Sequence, residues 1–267
     1  MAILTVSREY GSGGREIGQA VSRLLGYEYL DKDRILEELG RAGQKWEEWG
    51  KNLDEHCPTI WEKYDWSFRG FGALIQSTIL SYAVKDRVVV MGRGGSFLLK
   101  DIPYALRIRV IAPLESRIER IMTRESVDRD TARWLAEKVD RDRACFIHAL
   151  YGKKWDEHAG FDLLFDTSQQ GIDEIIAVVK DLLVERDRHH AGTVQHTLEM
   201  RAAAAKVKAG LLTDSRLFIP IVDVYYNGKD IVLHGIIHNP KEYRRVEDAA
   251  RKLAGDHSLK CDLHYRS

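Results

Sequence analysis

The sequence predicts an α/β protein: a mainly parallel β-sheet covered by helices on both faces, followed by a small α+β unit. Three observations carry this. Short apolar, β-branched runs alternate with helical patterns through the first 188 residues, the rhythm of strands buried on both faces. The first of these runs, beginning at Ile3, turns through Gly11, Gly13 and Gly14 straight into a helical pattern. Beyond Arg188 the rhythm changes, and two strand-like runs flank Asn227-Gly228, a strong hairpin signal.

After the opening strand, Ile17, Ala20, Val21 and Leu24 recur at helical spacing and Gly26 supplies a stop. A short strand, Tyr27 to Leu30, ends at Asp31. The segment 45–66 carries Trp46, Trp49, Trp61 and Trp66 among many charges without one clean period, and reads as a cover or a partner surface. A helix is expected over Phe71 to Val84, then a strand over Arg87 to Met91 closing on Gly92-Arg93-Gly94-Gly95, then a strand over Leu106 to Ala112. A charged helix follows Pro113, and a second helical stretch runs from Asp130 to Leu150. Phe161 to Phe165 reads as the last strand of the sheet, and Ile172, Ile175, Ile176 and Val179 as one face of its last helix.

The expected organisation is a nucleotide-binding domain over 1–188, a linker over 189–196 starting at His189-His190, and a second domain over 197–267. In the second domain a helix rich in alanine (Leu198 to Leu211) precedes strands at Ile221 to Tyr226 and Ile231 to Ile236, with Lys229 and Asp230 able to lengthen the turn. Tyr243, Val246, Ala250 and Leu253 mark a helix, and Leu259, Cys261, Leu263 and Tyr265 alternate as a final strand. This α-β-β-α-β unit of roughly 70 residues is large enough to be a domain.

Composition narrows the function. Lys+Arg and Asp+Glu are equal at 41 each, so no overall basic field argues for a nucleic-acid partner and no acidic excess argues for disorder. Cys57, Cys145 and Cys261 lack metal-ligand spacing, and the start of the chain lacks the layout of a signal peptide. A reducing cytoplasm is the expected compartment. No apolar run approaches the roughly 18 to 20 residues that span a bilayer, so no transmembrane segment is expected.

The glycine turn aims backbone N–H groups and the positive end of a helix at one point, an arrangement suited to phosphate, and a nucleotide is the expected ligand. Three readings compete for it. A purely structural turn does not require three glycines. A dinucleotide fingerprint would use Asp31 to hold a ribose, but its third glycine falls at Glu16. A kinase-type phosphate loop wants a lysine where the chain has Gly14, with Arg15 the nearest cation. Arginines favour phosphoryl transfer. From Arg107 to Arg143 there are nine, against one lysine, and the planar guanidinium fork matches phosphate oxygens. Exposed ion pairs account for some of them. Arg93 follows a predicted buried strand directly, where open α/β sheets bind ligands. Asp140 and Arg143, three residues apart, share a helix face and could serve one ligand or pair with each other.

These residues resemble the cytidylate kinase-like proteins, a branch of the nucleoside monophosphate kinases with a P-loop kinase-type fold. The resemblance rests on TVSREYGSGGREIG from Thr5 to Gly18, YLDKDRI from Tyr29 to Ile35, VVVMGRGG ending at Gly95, Asp140-x-x-Arg143, and FDLLFDTS from Phe161 to Ser168. It implies ATP-dependent phosphoryl transfer, with Mg²⁺, to a small acceptor, first of all a nucleoside monophosphate such as CMP. By the resemblance the stretch Ser7 to Arg15 holds the ATP phosphates, with Gly11, Ser12, Gly13 and Gly14 positioning them. Asp31, Arg93, Asp140 and Arg143 lie toward the acceptor, and the arginine-rich helices around Arg120 to Arg143 form a lid. Arg15, Arg124 and Arg143 are the candidates for stabilising the transferring group, and Ser7 or Ser12 for a metal-side hydroxyl; no metal cage built from protein alone is visible. The chain departs from the family pattern in lacking the loop lysine and in carrying Gly94 where an aspartate follows Gly-Arg.

Val222 to Gly255 resembles a BON domain, a module that implies a protein or lipid partner, with Gly228, Leu233 and Gly235 as its structural positions. His234, His238 and His264 lack the spacing of a metalloprotease motif, and no G-x-S-x-G elbow accompanies Ser96. Two other functions are compatible with the sequence: a nucleotide-binding sensor without turnover, and a kinase of a non-nucleotide metabolite.

Overall fold

The computed structural model describes residues 2–53, 57–59, 61–62, 65–157, 160–188 and 192–265. They form two compact units, Met1–Thr59 with Lys85–His190, and Ile60–Val84 with Ala191–Ser267.

The first unit begins with β1 (Ile3–Arg8), α1 (Gly14–Leu25), β2 (Glu28–Leu30), α2 (Lys32–Ala42) and α3 (Gln44–Leu53). The chain then supplies α4 (Trp66–Val84) to the second unit and returns for β3 (Val88–Met91), α5 (Gly95–Leu98), β4 (Ala105–Ile111), α6 (Leu114–Glu125), α7 (Arg129–Tyr151), β5 (Leu163–Asp166) and α8 (Ile172–Asp187). Its five strands are all parallel, in the order β2-β3-β1-β4-β5. Val6 lies in register with Met91 on one side and Ile108 on the other, so β1 is central. On one face Ile17 and Val21 of α1 and Ile175, Val179 and Leu183 of α8 pack on Leu4, Val6, Leu106 and Val110. On the other face lies α5. Coverage on both sides is why these strands read as unbroken apolar runs. α6 and α7 pair through Ile118, Ile121, Ala132 and Ala136, with Tyr10 against them.

Several elements differ from expectation. The tryptophan-bearing segment contains α3, where Trp46 is buried, while Trp61 is exposed and Trp66 starts α4. β5 starts two residues later than expected, at Leu163. Cys57 and Cys145 form a disulfide, with Cys261 free, a pairing that their spacing in the sequence does not announce.

The second unit holds α4, α9 (Gly192–Thr213), β6 (Ile221–Tyr226), β7 (Ile231–Ile237), α10 (Pro240–Ala254) and β8 (Leu259–Tyr265). The expected α-β-β-α-β order is present, but α4 joins it. Ala73 of α4 packs with Met200, Ala204 and Val207 of α9 and with Val222, Leu233 and Val246, and Arg69 donates to the Pro220 carbonyl at 2.7 Å. α4 carries apolar residues on most of its circumference, so its pattern did not reveal which core it belongs to. Residues 192–196 of the expected linker are helical, and His189 and His190 lie outside the described residues. β6 and β7 form the antiparallel hairpin; β8 adds parallel to β7. The Asn227 carboxamide accepts from the N–H groups of Lys229 and Asp230, closing a four-residue turn. Among the described residues no helix is long and apolar enough to cross a membrane.

Candidate active site

The C-terminal ends of β1, β2 and β3 open into a cavity of about 410 Å³ built within the first unit. β1 has β3 on one side and β4 on the other, so the cavity lies where strand order reverses, as ligand sites do in open α/β sheets. Among the described residues Thr5 Oγ1, in this lining, is the one buried side-chain oxygen without a hydrogen-bond partner.

The glycine turn forms one wall. Gly11 and Gly13 have φ of +80° and +87°, a region that costs other residues. A Cβ at Gly14 would lie 2.5 Å from Cβ of Arg8. Carbonyls of the turn are tied from behind: Arg117 donates to the Tyr10 carbonyl at 3.2 Å, Arg120 to that of Gly11 at 3.5 Å, and Thr167 Oγ1 to that of Ser12 at 2.8 Å. Arg120 in turn donates to Thr167 Oγ1 at 2.6 Å. α1 begins at Gly14 with no side-chain cap, so the N–H groups of its first turn have no acceptor within the helix and present partial positive charge to the cavity that Gly13, Gly14 and Arg15 line.

Five arginines line the same space: Arg8, Arg15, Arg93, Arg124 and Arg143. Among the described residues the guanidinium groups of Arg8 and Arg15 make no hydrogen bond or ion pair, and Arg15 is exposed. Arg143 donates to the Arg8 carbonyl at 2.9 Å; Arg93 stacks over Phe146 at 5.3 Å; Arg124 stacks over Tyr10 at 4.7 Å. Burial, then repulsion by Arg8, brings Arg93 down to about 10. The same two causes hold Arg143 well below the ordinary arginine range, and burial lowers Arg8, with Arg15 adding to it. Mutually repelling cations around one cavity favour an anion between them, which would reverse each of these shifts.

The other sequence candidates divide. Asp31 lines the cavity and caps α2, accepting from the Arg34 N–H at 3.2 Å. The Ser7 hydroxyl lines it as well and accepts from buried Arg109 at 3.1 Å. Ser12 does not line it: the residue is wholly buried and its hydroxyl donates to the Glu9 and Val110 carbonyls at 2.9 and 3.0 Å. Nor does Asp140, which accepts from the Tyr10 N–H at 2.8 Å and from Arg117 at 2.6 Å. Both brace the turn from outside. Sequence reasoning missed Arg8, though a cation closing the central strand directly before a glycine turn was a readable signal. It did not single out Arg117, and it placed Arg120 only at the start of an arginine-rich lid; from sequence both are indistinguishable from surface arginines.

The sequence profile of the cytidylate kinase-like family matches residues 3–169, a span that contains the turn, the arginines and every strand of the first sheet. The chain belongs to the cytidylate kinase-like family. Among relatives, the cytidylate kinase of Pyrobaculum aerophilum is 26% identical over 184 residues, covering 68% of this chain and 92% of that protein. The uronate isomerase of Corynebacterium glutamicum is 33% identical over 103 residues, which is 39% of this chain but 19% of the isomerase. Among solved structures, an uncharacterized protein from Eubacterium ventriosum superposes with a TM-score of 0.56 at 18% identity, over 69% of this chain and 98% of that one, a likeness of fold.

Proposed function

We propose that the first unit is an ATP-dependent phosphotransferase whose acceptor is a small phosphorylated molecule, in the first place a nucleoside monophosphate such as CMP. One observation carries the reading: the uncapped start of α1 and the Arg8, Arg15, Arg93, Arg124 and Arg143 side chains meet at one cavity, where Arg124 pairs with Glu125 and Arg143 with Asp140 while, among the described residues, Arg8 and Arg15 make no ion pair. The family supplies the expectation of a nucleotide donor.

The residues present fit a polyphosphate. N–H groups of the turn and first helical turn take its oxygens in place of a lysine, and Arg15, exposed and unpaired, supplies the nearest side-chain charge. Arg93 and Arg143, deeper in the cavity, hold the acceptor phosphate, and Asp31 takes a ribose or base hydrogen bond. Arg124 and Arg143 both lie over the Tyr10 ring, at 4.7 and 5.7 Å from it, and neutralise the oxygens of the transferring group. Phosphoryl transfer asks mainly for such positioning and charge. Mg²⁺ would rest on the nucleotide's own oxygens with water, next to Ser7 and the carboxylates of Glu9 and Glu16 that line the cavity; it supplies charge neutralisation. Ser12 is not available to it.

Gly14 at the lysine position favours a second reading, a sensor that binds nucleotide without turnover. A coupled ADP-release assay with ATP, Mg²⁺ and a panel of nucleoside monophosphates and phosphorylated metabolites separates the two. Acceptor-dependent ADP release supports the enzyme; tight nucleotide binding with no release for any acceptor supports the sensor. For the second unit, the α-β-β-α-β order supports a BON-like module with a protein or lipid partner, checked by co-sedimentation of the full chain with anionic vesicles.

A further inference from the structure

The second unit brings together three side chains that the sequence keeps apart. In the β7–β8 ladder His234 pairs with Asp262 and Ile236 with His264. Asp262 and His264 are two residues apart on one strand, so their side chains leave the same face of the sheet as His234. That face is opposite to Leu233 and Leu263, which pack in the core of the unit. His234 Nδ1 lies 3.0 Å from one oxygen of Asp262, and His264 Nε2 lies 3.1 Å from the other. The two rings meet edge to face at 5.9 Å. One ligand atom from each of the three residues falls within 4.8 Å of the other two.

The geometry points to a divalent metal site at His234, Asp262 and His264, with Zn²⁺ as the cation that it fits. Two imidazole nitrogens and one carboxylate oxygen are a zinc ligand set. Tetrahedral bonds of about 2.0–2.2 Å place ligand atoms roughly 3.3–3.5 Å apart, so small side-chain rotations close the observed spacing. The strand register, not a mobile loop, sets the three positions. Side chains here are about half exposed, at 45%, 45% and 63% for His234, Asp262 and His264, which leaves an entry path and an open coordination position for water or an anionic ligand. Asp223, opposite His234 in the β6–β7 register, is held by Lys208 at 2.7 Å and is not counted as a ligand. Cys261 is on the opposite face of β8 and takes no part. The site is independent of the phosphotransferase reading, since it uses no residue of the first unit.

The test is titration calorimetry of Zn²⁺ alone into the metal-stripped full chain, free of any polyhistidine tag, with histidine-ring NMR as a second readout. One Zn²⁺ per chain at micromolar affinity is expected, with the His234 and His264 ring resonances shifting on binding. Asp262→Asn and His264→Ala should each weaken binding at least as much as losing a second-shell partner does elsewhere, about 10–100-fold, while the exposed position of His264 keeps the fold intact. His238→Ala should bind as the unaltered chain does, because that ring pairs with Glu242 instead. No uptake of Zn²⁺, or uptake unchanged in His264→Ala, or shifts confined to other histidines, would overturn the assignment.

Discussion

Tyr151 lays its ring against Gly94 and donates its hydroxyl to the carbonyl of Arg93 at 2.7 Å. A Cβ at position 94 would stand 2.1 Å from that ring, on backbone with a φ of +77°. Tyr151 therefore occupies the space of the aspartate that the family resemblance leads one to expect after Gly-Arg. Gly94→Ala should destabilise the first unit by about 1–3 kcal/mol. Adding Tyr151→Ala should restore the part due to the clash and leave the part due to the backbone. Thermal denaturation of the two single variants and the double variant measures the coupling; additive effects would contradict the contact.

Arg93 and Arg143 make the site sensitive to high pH. The folded value of Arg93, about 10, is below that of the unfolded chain, so between the two values the unfolded chain binds more protons and stability rises with pH. Ligand affinity runs the other way. Above about 10 Arg93 releases its proton unless an anion holds it, so pyrophosphate binding should weaken as the pH passes that value. Arg93→Ala should make this fall smaller, Arg143 still contributing to it, and weaken binding at neutral pH by about 10- to 100-fold, the loss of about 1.5–3 kcal/mol of charge-assisted hydrogen bonding. A pH profile identical in the variant would count against Arg93 as an anion ligand.

Asp140 acts on the turn through Tyr10 and Arg117. Asp140→Ala strips the acceptor from the Tyr10 N–H and leaves Arg117 without its 2.6 Å partner, at a cost of about 3 kcal/mol. ATP binding should weaken with it, and Arg143, 3.8 Å from the same carboxylate, loses an ion pair as well. Unchanged stability together with unchanged ATP binding would contradict the bracing role. Ser12→Ala should cost about 1–2 kcal/mol in stability and leave the Mg²⁺ dependence of turnover as it was.

Much of this was legible in the residues. The opening strand, the glycine turn, α1 and β3 followed from apolar runs and glycine positions, and Arg93 was placed by the strand before it. What was not legible depends on long-range packing. Asp140 looked like a ligand group because spacing shows that it shares a face with Arg143, not that Tyr10 lies opposite it. Ser12 sits between two glycines that suit a phosphate turn, yet its hydroxyl is satisfied by carbonyls of β4 and of the turn itself. α4 is apolar around most of its surface, so periodicity could not assign it to a core. α2 was overlooked although Asp31-Lys32-Asp33 carries an N-cap and an acidic first turn.

The Cys57–Cys145 bridge spans 88 residues of sequence and anchors α7, the helix that carries Arg143. Alkylation of the denatured, unreduced chain should label Cys261 alone, with Cys57 and Cys145 labelled only after reduction. Reduction should lower the melting temperature, since closing a loop of this length contributes about 4 to 5 kcal/mol in the chain-entropy account. Labelling of all three without reductant would contradict the pairing.

In the proposed phosphate site, N–H groups and Arg15 hold a triphosphate where the chain has no lysine. Titration calorimetry of ATP with Mg²⁺ into the full chain tests it most directly. One ATP per chain should bind with release of heat, at least about tenfold more weakly in Arg15→Ala, the loss of roughly 1.4 kcal/mol or more. Absence of heat with both ATP and GTP, or equal affinity in Arg15→Ala, would contradict it.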